Sequence, residues 1–254
     1  MIHGIYLSSH GANAQSLRQD VIANNLANAS TTGFKRDVAT FQVFKPEDFR
    51  KNIPVRMDGD RQREVGALGI DRISTDHTTG ALQKTGQDYD IGLSGKGFLR
   101  VSDGRNEYLT RNGQLHRSID GELVTQDTGL KVLDTTGKPI EIPVIATGID
   151  IATDGKVSAV LSDNQRVPLG QMDLVSAPVD QLRKVGDSLF DTQAELEPAG
   201  RNVQVKQGFI EASGVNPIQE MTAMIETSRA FEANINMIRI QDESLGRLLQ
   251  TVGG

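Results

Sequence analysis

From Pro217 to Val252 the chain contains no further proline, and its apolar side chains repeat every seven residues. One row holds Met224, Phe231, Ile238, Leu245 and Val252, and the interleaved row holds Met221, Ser228, Ile235, Asp242 and Leu249. Such a heptad predicts a helix with an apolar seam. Asn216 suits the cap, Pro217 the first helical position, and Gln219 the third position of a capping box. A helix over these 36 residues reaches about 54 Å, whereas a globule of about 130 residues has a radius of gyration near 14 Å. It therefore has to pack against something beyond a small globule. Asp242 on the interleaved row points to a wet or multi-chain contact, since an unpaired carboxylate in a dry seam is costly.

The other end repeats the pattern. No proline interrupts Gly4 to Asn28, where Leu7, Ala14, Leu17 and Val21, widened by Ile22 and Leu26, form one stripe. The helix is expected to stop in Asn28-Ala29-Ser30-Thr31-Thr32-Gly33, because small polar side chains compete for backbone hydrogen bonds and glycine accepts positive φ. The two stripes are expected to pair with each other and with neighbouring chains; the alternative is that each helix covers one side of the central domain.

Between the ends the pattern changes to period two. Asp103-Gly104, Asn112-Gly113, Asp120-Gly121, Thr128-Gly129 and Thr136-Gly137 are spaced like hairpin turns and predict a β meander. Strand candidates are Ile91 to Val101, Lys131 to Leu133, Ile140 to Ile145, Lys156 to Leu161, Met172 to Val175 and Val203 to Ile210. Phe44 to Leu68 is charged, holds two prolines and lacks either period, so it reads as a connector. The fold class is thus α+β: long terminal helices pairing as a coiled coil, with a central all-β domain of short antiparallel strands. The divisions are 1–30 with 215–254 for the helices, 31–75 for the connector, and 76–214 for the β-rich domain.

Chemistry is sparse. The net charge is −6 and the pI about 5.3, which argues against nucleic acid or an anionic membrane as partner. There is no cysteine, so disulfides and thiolate sites are excluded. No apolar run approaches the roughly 18 residues that insert in a membrane. The first lysine or arginine is Arg18, so no Sec-type leader is expected. Gly95-Lys96-Gly97 lacks the rest of a phosphate loop and reads as a turn or bulge. His3, His10, His77 and His116 do not stand at metal spacing. Asp88 and Asp90 flank Tyr89, and alternation along a strand would place both on one face, more simply a solvated face than an acid/base pair. No enzyme activity, cofactor or metal is expected.

One resemblance is long and specific. Ala23-Asn24-Asn25-Leu26-Ala27-Asn28-Ala29-Ser30-Thr31-Thr32-Gly33-Phe34-Lys35-Arg36 resembles the N-terminal signature of bacterial flagellar basal-body rod proteins, a family that includes the hook. Gln207-Gly208-Phe209-Ile210-Glu211-Ala212-Ser213-Gly214-Val215-Asn216 and Arg229-Ala230-Phe231-Glu232-Ala233-Asn234 are similar to its C-terminal block, and Asp90 to Phe98 with Tyr108 to Gly113 to its β domain. Gly214 and Phe231 stand where relatives often carry asparagine and tyrosine.

The resemblance implies a structural subunit that stacks helically into a hollow axial tube and transmits torque from motor to hook. It implies export by the flagellar type III apparatus without a cleaved signal peptide, a place in the periplasmic rod, and as partners copies of itself and other rod and hook subunits. Asn24, Asn25 and Asn28 are expected to hydrogen-bond across subunits or at the helix exit. With Leu17, Val21, Leu26, Met224, Phe231, Ile235, Ile238, Leu245 and Leu249 they make up the expected assembly interface. The rivals are a hook-type axial protein and, outside the family, a cell-wall enzyme or carbohydrate-binding module. Replacing Ile238→Asp or Leu245→Asp should abolish assembly while sparing export and the β domain, because a buried unpaired carboxylate costs several kcal/mol; normal motility in both strains would show that these rows face no partner.

Overall fold

The computed structural model describes residues 2–44, 67–186, 188–200 and 203–252. They form two compact units: Met1–Ala27 with Asp37–Asp76 and Asn216–Gly254, and Asn28–Arg36 with His77–Val215.

The first unit holds helices α1 (Ile2–Ala27) and α2 (Pro217–Val252) and strands β1 (Asp37–Phe44) and β2 (Ala67–Thr75). Asn216 caps α2, its Oδ1 accepting the N–H groups of Ile218 (3.1 Å) and Gln219 (3.4 Å). The helices lie side by side and antiparallel, since Gly4 faces Gln241 while Gly11, one heptad on, faces Asn234, one heptad back. A Cβ at Gly11 would come within 2.9 Å of Asn234 Oδ1, so the glycines let the backbone of α1 close on long side chains of α2.

Met224, Phe231, Ile238 and Leu245 are partly buried, as the heptad predicts, but the second row is shifted. It consists of Glu220, Thr227, Asn234 and Gln241, whereas Met221 stays 47% and Ile235 38% exposed, and Asp242 is exposed. The polar row can go inside because part of it is satisfied on its own helix: Thr227 Oγ1 donates to Ala223 O (2.7 Å) and Asn234 Nδ2 to Ala230 O (2.9 Å). The stripe of α1 also departs from expectation. Ala14, Val21 and Ile22 are buried and Leu17 and Leu26 partly so, but Leu7 is 55% exposed, and Ala12 takes part instead.

Strands β1 and β2 pair antiparallel from Asp37 opposite Thr75 to Phe44 opposite Ala67, with a bulge after Thr40, and pack against α1. The stretch expected as a connector thus contributes a hairpin at its two ends; residues 45–66 lie outside the described ones.

The second unit is β-rich. Its main sheet runs β14 (Arg183–Gly186), β15 (Leu189–Asp191), β6 (Glu107–Thr110), β5 (Phe98–Ser102), β9 (Lys131–Val132), β8 (Leu123–Thr125) and β7 (Leu115–Arg117), with β13 (Leu174–Ser176) and β16 (Glu197–Pro198) at one side. A three-stranded sheet holds β10 (Ala146–Ile151), β11 (Lys156–Leu161) and β12 (Arg166–Gln171); β4 (Ile91–Ser94) pairs β17 (Gln204–Gln207), and β3 (Leu82–Lys84) pairs β18 (Phe209–Glu211). Ile91, Val101, Leu123, Val132 and Val157 are wholly buried at the centre.

Several sequence expectations are refined here. The run Ile91 to Val101 is two strands, β4 and β5, broken at Gly95-Lys96-Gly97, and Val203 to Ile210 is broken at Gly208, whose φ is +74°. Ile140 to Ile145 forms only an isolated bridge at Glu141, because Ile140 and Ile142 are drawn into the core while Pro143 interrupts the ladder. Gly104, Gly121, Gly129 and Gly137 occupy left-handed turns, but Asn112-Gly113 does not close a hairpin: β6 pairs with β5 and β15, not with β7. Gly113 is required by proximity, since a Cβ there would lie 1.8 Å from Ile91 O. Gly113→Ala should therefore cost about 3 kcal/mol of stability through forced backbone displacement, against about 1 kcal/mol for Gly104→Ala, whose φ of +89° is strained but whose surroundings are open. Urea unfolding of the two full-length variants checks the order.

Candidate assembly interface

Three sequence segments converge in the β-rich unit on one buried carboxylate. Glu211, at the end of β18, is wholly buried, and its Oε1 accepts the Lys35 ammonium at 2.6 Å and the Gly80 N–H at 2.8 Å. Its Oε2 accepts Arg111 Nη1 at 2.9 Å. Lys35 Nζ also donates to Thr78 O at 2.6 Å, and Arg111 to the carbonyls of Leu93 and Gly95. Lys35 and Arg111 are 1% and 3% exposed. Dehydrating ions costs several kcal/mol each, which this arrangement offsets by placing one anion between two cations and giving Lys35 Nζ and both Arg111 Nη groups carbonyl acceptors, although the buried Arg111 Nε finds no acceptor among the described residues.

The backbone is built around the same point. Gly33 has φ +69°, and a Cβ there would fall 2.5 Å from the Arg111 carbonyl carbon. Its N–H donates to Glu211 O (2.8 Å), Gly214 N–H donates to Phe34 O (2.9 Å), and Ser213 Oγ donates to Asn28 O (2.9 Å). Lys184 lies 3.6 Å over the Phe34 ring and donates to Lys35 O at 2.9 Å. The chain that has just left α1 and the chain about to enter α2 are therefore clamped to each other.

The expected interface residues are spread along the two helices rather than gathered. Leu17, Leu26, Met224, Phe231, Ile238 and Leu245 are partly buried, Val21 is buried, Asn24 and Ile235 are exposed, and the side chain of Leu249 lies outside the described residues. Asn25 is only 1% exposed, and its amide bonds both backbone groups of Asp37, donating at 2.8 Å and accepting at 2.9 Å. It is engaged within the chain at the start of β1. Asn28 sits at the helix exit, its Oδ1 accepting from Thr31 Oγ1 at 3.1 Å.

The clamp residues Gly33, Lys35, Arg111 and Glu211 were not singled out as site residues from the sequence. A lysine and an arginine far apart in the chain look like solvated charges until the fold brings them to one glutamate. Asp88 and Asp90 lie in a turn rather than on a strand, Asp88 exposed and Asp90 buried, so they do not share a face. His77 packs beside Phe190 and Phe98, ring centroids 5.3 and 6.2 Å away.

Three family models match the chain: "Flagella basal body rod protein" over residues 5–35, "Flagellar hook protein FlgE/F/G D1 domain" over 92–159, and "Flagellar basal body rod FlgEFG protein C-terminal" over 206–251. The chain is 35% identical to the flagellar basal-body rod protein FlgG of Buchnera aphidicola subsp. Acyrthosiphon pisum, over 98% of this chain and 100% of the relative. It is 33% identical to FlgG of Bacillus subtilis and 33% to FlgF of Salmonella typhimurium, each over 98% of both chains. The chain belongs to the flagellar basal-body rod protein family. Lys35, Arg111 and Glu211 fall one in each of the three matched segments, so the clamp joins all the parts by which this rod-family chain is recognised. FlgG and FlgF relatives match it about equally.

Glu211→Gln, which keeps the shape but leaves two buried cations without a counter-ion, should cost about 3–5 kcal/mol. Arg183→Ala, which breaks the pair with Asp191 that is largely exposed, should cost under about 1 kcal/mol. Comparable losses in urea unfolding would show that the clamp does not hold the unit together.

Proposed function

We propose that the chain is a structural subunit of the flagellar basal-body rod that polymerises helically, with copies of itself and with other axial proteins, into a hollow tube carrying torque from motor to hook. The observation that carries this reading is the full-length likeness to rod proteins joined to what α2 leaves uncovered. Ile218, Met221, Ile225 and Ile235 are 72, 47, 55 and 38% exposed and recur along its length, a stripe that a lone soluble chain gains nothing by displaying.

In this reading the terminal helices pair as a coiled coil in the axial layer and residues 76–214 form a separate β-rich layer. Leu17, Val21, Asn24, Leu26, Met224, Phe231, Ile235, Ile238, Leu245 and Leu249 lie at or beneath contacts between subunits. The subunit reaches the periplasmic rod through the flagellar export apparatus without a cleaved leader, and it performs no chemistry. A cell-wall enzyme would call for convergent acid groups in a cleft, and the separated Asp88 and Asp90 do not supply them.

The test is a deletion strain whose basal bodies are purified and imaged. Rods ending at a defined height, with motility restored by the intact gene, are expected; full-length rods in the deletion strain would overturn the reading.

A further inference from the structure

Residues 203–214 stand near the end of the β-rich unit in sequence and tie together segments that are remote from one another. Among the described residues β17 is the only strand partner of β4, and β18 the only one of β3. Between the two strands the Gly208 N–H donates to Asp90 O (2.8 Å), and Gly208 O accepts the N–H groups of Thr85 (2.9 Å) and Gly86 (3.1 Å). The Val205 N–H reaches Thr153 O at 3.0 Å. The Gln207 amide joins two further stretches: its Nε2 donates to Asp88 O (2.7 Å) and Ile149 O (2.9 Å), and its Oε1 accepts the Ile151 N–H (3.1 Å).

Apolar packing follows the same path. Val203 and Val205, 4% and 1% exposed, belong to one buried cluster with Val101, Leu123, Val132 and Ile149. A unit lacking them would have a gap at its centre, and the surrounding side chains would relax into it only in part.

The ions add a condition. Lys35 and Arg111 are buried, and the carboxylate that balances them stands 176 residues after the first and 100 after the second. Without Glu211, a native arrangement of the earlier residues would bury two cations with no counter-ion, which is strongly unfavourable. It would also leave the backbone groups of β3 and β4 without their ladder partners.

We infer that residues 203–214 are the closing segment of the β-rich unit: strands β3 to β16 hold no stable native arrangement until it docks, and the unit folds in one step that waits for it. Domains ordinarily fold in order as a chain is made from its N-terminus. Here only residues 215–254 follow the closing segment, so the unit stays open until the chain is nearly complete. The inference goes beyond the rod reading and does not depend on it.

Native-state hydrogen exchange of the full-length chain in increasing urea tests this. The amides of Val205, Gly208 and Ala212 belong to the segment, whereas Leu123 and Ile140 donate to Ile140 O and Val132 O, outside it. All five are expected to exchange through one opening, recognised by equal free energy and equal urea dependence. Exchange of the segment's amides through a smaller opening that leaves Leu123 and Ile140 protected would overturn the inference. Gln207→Ala in the full-length chain gives a second reading. Loss of its three hydrogen bonds should speed exchange about tenfold or more, at Leu123 and Ile140 as much as at Val205; a rise confined to the segment and the groups bonded to it would overturn the inference as well.

Discussion

The fold of the β-rich unit depends on a single carboxylate. Glu211 is held by Lys35 and Arg111, and the three residues come from the two ends and the middle of the chain. A buried charge is tolerated only when its partners are all present, so this cluster makes the correct meeting of three remote segments a condition of stability. It also clamps the chain leaving α1 to the chain entering α2, through the backbone bonds of Gly33 and Gly214. A dehydrated ion cluster with close-approach glycines beside it holds these two passages of the chain stiffly to each other within the β-rich unit.

The helical unit solves a different problem. Its seam is half apolar and half polar: Met224, Phe231, Ile238 and Leu245 lie beside Glu220, Thr227, Asn234 and Gln241. Gly4 and Gly11 make room for the polar row on the facing helix. Burying a polar row in which Thr227 and Asn234 bond their own helix leaves the more apolar residues, Met221, Ile225 and Ile235, on the outside. The helix pair is thereby left with apolar surface to spend on contacts beyond the single chain, whereas a pair that buried its best apolar row internally would have little left.

Much was legible in the sequence where the argument needed only neighbours along the chain. The heptad from Met221 to Val252 with the Asn216-Pro217 start predicts α2, four of the five named glycine turns fall at left-handed positions of the β unit, and the Asn28 to Gly33 run predicts the end of α1. Each rests on local physics: backbone conformations open to glycine, a capping amide, and a period that repeats within a few residues.

Tertiary structure decided everything that depends on which remote group lies opposite. It chose the Glu220 row over the Met221 row, because Gly4 and Gly11 are complementary to long polar side chains and this cannot be read from α2 alone. It made Gly113 a close-approach residue rather than a turn, because β6 found partners in β5 and β15. It turned Lys35, Arg111 and Glu211 from three ordinary charges into one clamp, because the strength of a charge pair depends on its distance and on the water excluded around it, and neither quantity exists until the chain has folded.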